Sequence, residues 1–446
     1  MSAFVRVMRL PHATAMVVGT IIGASIFVQP SEVTARIPSP FGVFAVWIAA
    51  GFLSLLGALV CAELASTFTR TGGVYVYLRE AFSPAVGFLW GWAMFWVMHS
   101  GIIAAVATVT ARYTAHFTSL GDAGIRAVAI AVILLWSAVN YLGVRLGSQL
   151  QTGFTVGKLV AIAVILACGF TLGPDAADES ARQAMGGGTA AGHVTAGGFL
   201  AAVAAGLFAY GGWHMVTYSS EETVEPRKTI PRALVIGVVL VTSCYVAMNA
   251  VYLYVLPLQQ VVTSQRIAAD AADAVLGSGG ADVMSALVIF STFGAISGII
   301  LCGPRVYYAM AQDGLLFGWL GATHPVYRTP HRAILLQAAW ASFLAATGTY
   351  RELFTRVVYT EWIFFGAMAI GLLRLRRAPG VQRATTIRGF AWLALVFILC
   401  SFAVAAHAMW THAKDAAWGM GIVLLGFPVY HLWTRRRRRR SEEGAR

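Results

Sequence analysis

Apolar segments that are long enough to cross a membrane recur along the whole sequence. A helix needs about 20 apolar residues to span the hydrocarbon core of a bilayer. Only 11% of the 446 residues are charged, against about a quarter in soluble proteins. The sequence therefore predicts an all-α membrane protein with 12 transmembrane helices, near 12–29, 41–69, 84–117, 125–142, 150–172, 197–220, 232–256, 282–312, 332–348, 353–374, 388–409 and 415–433.

The basic residues are spread unevenly over the connections between these segments. Most of the 32 Lys and Arg residues fall on the cytoplasmic side if the N-terminus is cytoplasmic, which predicts that both termini lie there. The Arg-rich tail is then an orientation signal and an anchor to anionic lipid. The net charge of +13 therefore does not indicate a nucleic-acid partner. We expect a multi-pass protein of the cell (inner) membrane, with the lipid bilayer as its surroundings.

The cysteines and histidines do not follow the pattern of a cross-linked or metal-binding protein. All five cysteines lie inside apolar segments, so no disulfide framework and no disulfide-tethered partner are expected. No Walker A loop, Cys/His metal spacing or cofactor motif occurs, so we expect no cofactor and no metal. A membrane-embedded enzyme would need polar catalytic groups clustered at one membrane face. Such a cluster is missing, so no catalytic residue is predicted, and His99 and His214 are interpreted as packing or hydrogen-bonding residues rather than ligands.

Two glycines and two hydroxyls interrupt the first apolar segment, in the stretch GTIIGASIF at 19–27. Glycine destabilises a helix interior by about 1 kcal/mol relative to alanine. Unpaired backbone groups cost several kcal/mol in hydrocarbon, so a break is tolerated only where it is buried or lines a cavity. The stretch therefore indicates backbone N–H and C=O groups that are offered to a ligand. The alternative is that Gly and Ala only allow close helix packing.

A similar interruption, GLFAYGGWH at 206–214, lies inside the sixth apolar segment. Paired Gly-interrupted segments at corresponding positions of two halves indicate a transporter binding site. The first interrupted segment opens the first five segments and the second opens the next five; five is odd, so the second half starts from the opposite face and the repeat is inverted. Half-helix ends offer N–H groups to a carboxylate and C=O groups to an ammonium, which favours a zwitterionic ligand. The predicted units are 1–196, 197–380, 381–434 (two trailing helices) and 435–446 (a basic tail).

These stretches also resemble the signatures of a known family. The stretch at 19–27 resembles the first helix of the amino acid–polyamine–organocation superfamily, close to its L-amino-acid transporter branch, and 208–213 with the following Glu221 and Glu222 resembles its sixth helix. The resemblance implies the leucine-transporter fold, with a five-plus-five inverted repeat and broken helices 1 and 6. The other matches keep the family's order along the chain, at 62–64, 72–75, 155–159, 293–305 and 421–430.

The resemblance also implies a substrate site at the two interruptions. The carboxylate would lie on the backbone around Ser25, the amine would meet carbonyls near the two breaks, and Phe208 would be an aromatic gate. The chain has Ala24-Ser25 where the branch usually has Ser-Gly, and the added Cβ would narrow the carboxylate site. The implied substrate-binding residues are Ile21, Gly23, Ala24, Ser25, Ile26, Phe208, Ala209, Gly211 and Glu361.

Lys158 lies in the middle of the fifth apolar segment. A lysine inside a membrane is energetically expensive and is by default a functional-site hypothesis. The resemblance suggests that its ammonium ties the fifth helix to the first and takes the place of a sodium ion in sodium-coupled relatives. Lys158 is also a candidate proton carrier. The alternative is a lysine that extends its ammonium to the membrane surface.

Several carboxylates accompany these stretches. Glu361 falls where the branch commonly has a neutral amide facing the substrate side chain, and it would select a cationic side chain, bond a polar one or carry a proton. Its alternative role is a structural carboxylate paired with Arg356. Glu63 is interpreted as structural, bonded to the cytoplasmic loop at 72–73. Glu221, Glu222, Glu225, Arg227 and Lys228 are expected to form an ion-pair network that closes an inner gate.

The functional prediction is secondary active transport of L-amino acids by alternating access, without sodium, by exchange or by proton coupling. A polyamine or cationic-amine carrier and a transport-inactive amino-acid sensor are the alternatives. A channel would need a charged or carbonyl-lined filter, which the sequence does not contain. No disulfide-linked heavy chain is expected, because the connection at 118–124 has no cysteine. The sequence does not indicate which amino acid is carried or the oligomeric state.

Overall fold

A computed structural model of the chain describes residues 4–176, 195–277, 279–348, 350–377, 389–411 and 413–443. Within these ranges the protein is built from α-helices, joined by short connections and three 3-10 segments at Ser25–Phe27, Trp213–Glu222 and Gly318–Gly321. The helices are α1 (Leu10–Ile21), α2 (Gln29–Arg36), α3 (Pro40–Thr67), α4 (Val74–Ala81), α5 (Pro84–Thr118), α6 (Asp122–Tyr141), α7 (Val144–Ala176), α8 (Ala196–Ala209), α9 (Pro226–Val255), α10 (Leu258–Thr263), α11 (Ile267–Leu276), α12 (Gly280–Gln312), α13 (His331–Thr347), α14 (Tyr350–Leu375), α15 (Phe390–Thr411) and α16 (Ala413–Glu443).

Nine helical stretches in the described ranges are long and apolar enough to cross a membrane: α3, α5, α6, α7, α8 with its following 3-10 segment, α9, α12, α15 and α16. The protein is therefore an integral, multi-pass membrane protein, as predicted. The predicted spans at α1, α13 and α14 are not among these nine. Helix α1 has 12 residues and α13 has 17, each short of a full span. The count of twelve transmembrane helices stays a prediction.

The connection at 257–281, between the predicted spans at 232–256 and 282–312, contains the two short helices α10 and α11. Helix α11 packs against α12 and α7. Its residues Ile267, Ala268 and Ala271 are buried, at the spacing of one helix face. The apolar residues are too few for a membrane span but sufficient to hold a surface helix in place. Most of the other long predicted connection, 173–196, lies outside the described residues.

Helix α1 lies inside the bundle, where α7, α9 and α12 all contact it. Small residues allow the neighbouring helices to approach closely, as is common in membranes. A Cβ on Gly237 of α9 would lie 2.5 Å from Val17 of α1. On the opposite side of α9, a Cβ on Gly51 of α3 would lie 2.6 Å from Thr242. The short first helix is thus surrounded by longer ones.

We predict that Gly51→Val destabilises the protein, because the new side chain would collide with Thr242 where α3 crosses α9. Overpacking of a tight interior typically costs about 1–3 kcal/mol. Gly153→Val on α7 is the matched control, because nothing lies within 4 Å of a Cβ at that position. Thermal unfolding of the detergent-purified variants checks the prediction. An apparent Tm for Gly51→Val equal to that of Gly153→Val would contradict it.

Candidate functional site

The first interruption lies where the sequence predicts it. Helix α1 ends at Ile21, and the chain continues as a non-helical stretch and a 3-10 turn until α2 begins at Gln29. In the part of the chain that the structure describes, the N–H groups of Ala24, Ser25 and Ile26 donate to no protein acceptor. Ala24 and Ile26 are buried, whereas Ser25 is partly exposed. Three consecutive backbone donors are therefore available at this break.

Lys158 connects α7 to this break. Its Nζ donates to the carbonyl oxygens of Gly19, at 3.2 Å, and Ile22, at 2.6 Å. One turn earlier on the same face, the Thr155 hydroxyl donates to the Ala15 carbonyl at 3.0 Å. Lys158 is 2% exposed, so its ammonium lies inside the protein. This placement contradicts the alternative in which Lys158 reaches the membrane surface.

The second interruption faces the first. Helix α8 ends at Ala209, and Gly212 adopts a positive φ of 104° before the 3-10 segment begins at Trp213. This φ favours glycine. A Cβ on Gly212 would also lie 3.0 Å from the Thr20 carbonyl oxygen. The Thr20 hydroxyl, which donates to Met16 O within α1, lies 3.2 Å from the Gly212 carbonyl. The backbones of the two interruptions therefore touch.

Tyr245 of α9 joins both interruptions. Its hydroxyl lies 3.1 Å from the carbonyl of Ile21 and 2.9 Å from that of Ala209, the last residues of α1 and α8. Its ring packs edge to face on Trp47, with centroids 5.5 Å apart. Both carbonyls lie at a helix end, where the next helical donor is missing. The Ile21 carbonyl also accepts from the Gly23 N–H at 2.9 Å, whereas no backbone donor among the described residues bonds the Ala209 carbonyl. Sequence reasoning missed Tyr245, whose only signal is a tyrosine in the middle of an apolar segment.

A third helix also bonds the first interruption, because the Ser291 hydroxyl of α12 donates to the Gly23 carbonyl at 3.2 Å. Sequence reasoning missed Ser291 as well. Helices α7, α9 and α12 thus each direct one polar side chain at backbone carbonyls between Gly19 and Gly23. In hydrocarbon, carbonyls without partners would cost several kcal/mol each. These three helices therefore stabilise a break that would otherwise be unfavourable.

A small pocket lies beside the second interruption. Glu361 of α14 is its acidic lining residue, and the carboxylate bonds no donor among the described residues. The side chain of Arg356, its alternative partner, lies outside the described residues, so that pairing stays a prediction. The complete lining is Ile102, Leu207, Phe208, Gly211, Trp213, Glu361, Trp362 and Phe365.

The predicted substrate-binding residues fall into two groups. Phe208, Gly211 and Glu361 meet around the pocket. Ile21 and Ala209 direct their carbonyls to Tyr245 instead of lining it. The remaining members, Gly23, Ala24, Ser25 and Ile26, form the first break and are not part of the lining.

Buried ion pairs and the N-terminal segment hold one end of the bundle together. The Arg305 guanidinium donates to both carboxylate oxygens of Glu222, at 2.7 and 2.8 Å, and both side chains are at most 3% exposed. The N–H groups of Val7 and Met8 donate to the Glu222 carbonyl.

A second cluster lies at the end of α12, where Asp313 accepts hydrogen bonds from Arg70, Arg79 and Tyr75. The N-terminal segment, the second interruption and α12 are thus tied together at this end.

The structure gives Glu63 and the expected gate network partners that differ from the predicted ones. Glu63 bonds Arg376, at 2.6 and 2.8 Å, and not the loop at 72–73. Beside that loop, the Thr71 N–H donates to the Glu221 carboxylate and the Gly72 N–H to the Tyr218 carbonyl. Of the expected gate network, Glu222 pairs with Arg305, which is distant in sequence. Glu225 and Lys228 lie 3.9 Å apart and are each 69% exposed, a kind of pair that contributes little.

Two interrupted helices that meet beside a small pocket, within a multi-pass helical bundle, define the class of membrane transporters. Residues 9–427 match the family model described as amino acid permease. The chain belongs to the amino acid permease family of the amino acid–polyamine–organocation superfamily. It is a permease and not an enzyme. No group of three or more His, Cys, Asp or Glu residues that could hold a metal ion occurs in the described ranges.

Relatives of known activity match most of the chain. The serine/threonine exchanger SteT of Bacillus subtilis (strain 168) is 31% identical over 428 residues, 95% of each chain. The b(0,+)-type amino acid transporter 1 of Homo sapiens is 32% identical over 365 residues, which cover 81% of this chain and 74% of the relative. The large neutral amino acids transporter small subunit 2 of Homo sapiens is 31% identical over 437 residues, 95% of this chain and 79% of the relative.

We predict that Tyr245→Phe lowers the rate of transport at least tenfold while the protein stays folded. The change removes the hydroxyl between the Ile21 and Ala209 carbonyls, and a buried acceptor without its donor costs about 1–3 kcal/mol. Tyr254→Phe on the same helix is the control, because the Tyr254 hydroxyl bonds no partner in the described ranges. Uptake into proteoliposomes, with gel filtration as a folding check, measures both. Equal rates for the two variants would contradict the prediction.

Proposed function

We propose that this permease carries L-amino acids by alternating access without sodium, through exchange or proton coupling. The observation that carries the proposal is the ammonium of Lys158, bonded to the Gly19 and Ile22 carbonyls. These oxygens are the type of ligand that a sodium ion would need at the broken helix. A fixed cation already occupies them, and a second one would be repelled at this distance. This supports sodium independence.

The backbone donors of the first interruption support a substrate with a carboxylate. The N–H groups of Ala24, Ser25 and Ile26 are consecutive, and N–H groups at the start of a helical turn attract anions. The carbonyls of Ile21 and Ala209, next to the Tyr245 hydroxyl, would accept from the substrate amine. An α-amino acid carries both groups on one carbon. A polyamine has no group for the three donors, which favours an amino acid over an amine.

The relatives' names agree with an amino acid substrate and suggest exchange. One is named as a serine/threonine exchanger, and two are named as amino acid transporters. We infer the same substrate class here. A transport-inactive sensor remains the alternative function, and uptake measurements distinguish it.

We further propose the leucine-transporter fold for the whole chain, with 12 transmembrane helices and inverted repeats at 1–196 and 197–380. The interruptions after α1 and α8, at the start of each unit, support it. Helices α15 and α16 would be the two trailing helices. Both termini would be cytoplasmic in the cell (inner) membrane, with the basic tail on anionic lipid. The absence of a cysteine from 118–124 supports transport without a disulfide-linked heavy chain.

In this proposal, the ion pairs near the N-terminal segment form the cytoplasmic gate. The Arg305–Glu222 pair and the three donors on Asp313 tie that end together, so they would separate when the substrate leaves toward the cytoplasm. The pocket beside α8 would then open to one side of the membrane at a time. Exchange requires that the carrier without substrate change only slowly between the state open to the cytoplasm and the state open to the other side.

Uptake of radiolabelled amino acids into proteoliposomes tests the proposal. Neutral, cationic and acidic amino acids and putrescine are supplied in sodium-free buffer, with and without a pH gradient and internal unlabelled amino acid. Uptake only with internal amino acid indicates exchange, whereas uptake driven by the gradient into empty vesicles indicates proton coupling. A strict requirement for sodium, or transport of no amino acid, would contradict the proposal.

We predict that Lys158→Ala abolishes or uncouples amino acid uptake while the protein stays folded. The variant leaves the Gly19 and Ile22 carbonyls without their shared donor. It also removes a positive charge from the first interruption. Thr152→Ala, on the same helix, is the control, because its hydroxyl bonds only Ser148 O within α7. Uptake is measured with and without a pH gradient. Normal, pH-dependent uptake by the Lys158→Ala variant would contradict the prediction.

A further inference from the structure

We propose that Glu361 makes the pocket selective for amino acids whose side chains end in a cationic nitrogen group. This inference rests on the proposed function, because it assumes that the amino acid's backbone groups bind at the interruptions. It adds a substrate class to that site. The observation behind it is the position of one carboxylate in a cavity that is otherwise lined by apolar side chains and glycine.

The surroundings of Glu361 contain no counter-charge in the described part of the chain. The residue is 7% exposed, and no donor among the described residues bonds its carboxylate. Burying a carboxylate without a partner is unfavourable, since the group loses its hydration and gains nothing in return. A ligand that brings a cationic N–H group into the pocket would supply both the opposite charge and the hydrogen bonds.

The rest of the lining suits the stem of a basic side chain. Trp213 and Phe365 pack together with ring centroids 5.0 Å apart, and Phe365 also meets Trp362 edge to face at 5.7 Å. Such rings contact alkyl stems and also attract cations to their faces. Ile102 and Leu207 add aliphatic surface. The pocket thus combines an apolar wall for methylene groups with an acidic end for a charge.

Neutral and acidic side chains fit this pocket less well. A neutral aliphatic side chain would fill the apolar part and leave the carboxylate unpaired, and an acidic one would be repelled by it. Lysine and norleucine make this comparison directly, since they have the same carbon chain and differ by the terminal ammonium. Putrescine has a similar length and cationic ends but lacks the carboxylate that the first interruption would bind.

Competition binding on the full-length, detergent-purified protein tests the proposal. Labelled lysine is displaced at pH 7 by unlabelled lysine, norleucine, glutamate or putrescine, on the unmodified protein and on the Glu361→Gln, Glu361→Asp and Glu225→Gln variants. Binding is measured in place of transport so that a variant that binds without turnover still reports its selectivity. Glu225→Gln is the control, because it removes one negative charge from an exposed position outside the pocket.

The proposal predicts that lysine binds the unmodified protein at least tenfold more tightly than norleucine, and more tightly than putrescine. Glu361→Gln lowers lysine affinity at least tenfold and reverses the preference. Glu361→Asp, the check in case Glu361→Gln does not fold, retains the preference for lysine, and Glu225→Gln leaves it unchanged. Equal binding of lysine and norleucine by the unmodified protein, or an unchanged ratio in Glu361→Gln, would overturn the proposal.

The outcomes also separate this proposal from the proposed function. If the unmodified protein transports neutral amino acids and ignores lysine, the selectivity proposal fails and amino acid transport stands. If Glu361→Gln binds lysine normally but no longer responds to a pH gradient in vesicles, Glu361 carries a proton and the selectivity proposal fails. If putrescine displaces every amino acid, both proposals fail, because the carboxylate site is then not used.

Discussion

Backbone hydrogen bonding at the two interrupted helices is the constraint on which the rest of the structure depends. Where α1 and α8 end inside the bundle, their last carbonyls lose their helical donors, and unpaired backbone groups are costly in hydrocarbon. Lys158 and Tyr245 supply donors to these carbonyls. Some backbone N–H groups after α1 stay available. The breaks are stable because neighbouring helices complete part of the bonding, and the proposed function uses the donors that stay free to bind the substrate.

This requirement explains the arrangement of the surrounding helices. A side chain from another helix can reach a broken backbone only where the two helices pack closely, and small residues permit that approach. Gly237 lets α9 approach α1, which brings Tyr245 to the carbonyl of Ile21. Gly212 contributes in two ways. Its positive φ turns the chain after α8, and its missing Cβ leaves room for Thr20 of α1. Close packing and polar bonding therefore depend on the same few positions.

The sequence predicted those features of the fold and the site that are visible in a short stretch of residues. The apolar segments, the glycine-rich interruptions and the intramembrane Lys158 were all recognisable because each departs from the pattern of its own neighbourhood. The partners of these groups were not. The Tyr245–Ile21, Ser291–Gly23 and Arg305–Glu222 contacts each span more than 80 positions of sequence. No helical periodicity indicates which distant side chain meets a given carbonyl or carboxylate. For the same reason Glu63 was assigned to a nearby loop, whereas the fold brings Arg376 to it.

The most direct test of this account is substrate binding by the purified protein in sodium chloride and in choline chloride at equal ionic strength. The ammonium of Lys158 bonds the carbonyls of Gly19 and Ile22, and we propose that it takes the place of a sodium ion at the broken helix. The account predicts the same dissociation constant for the transported amino acid in both salts. Binding that weakens tenfold or more without sodium would show that Lys158 does not replace the ion, and would contradict the account.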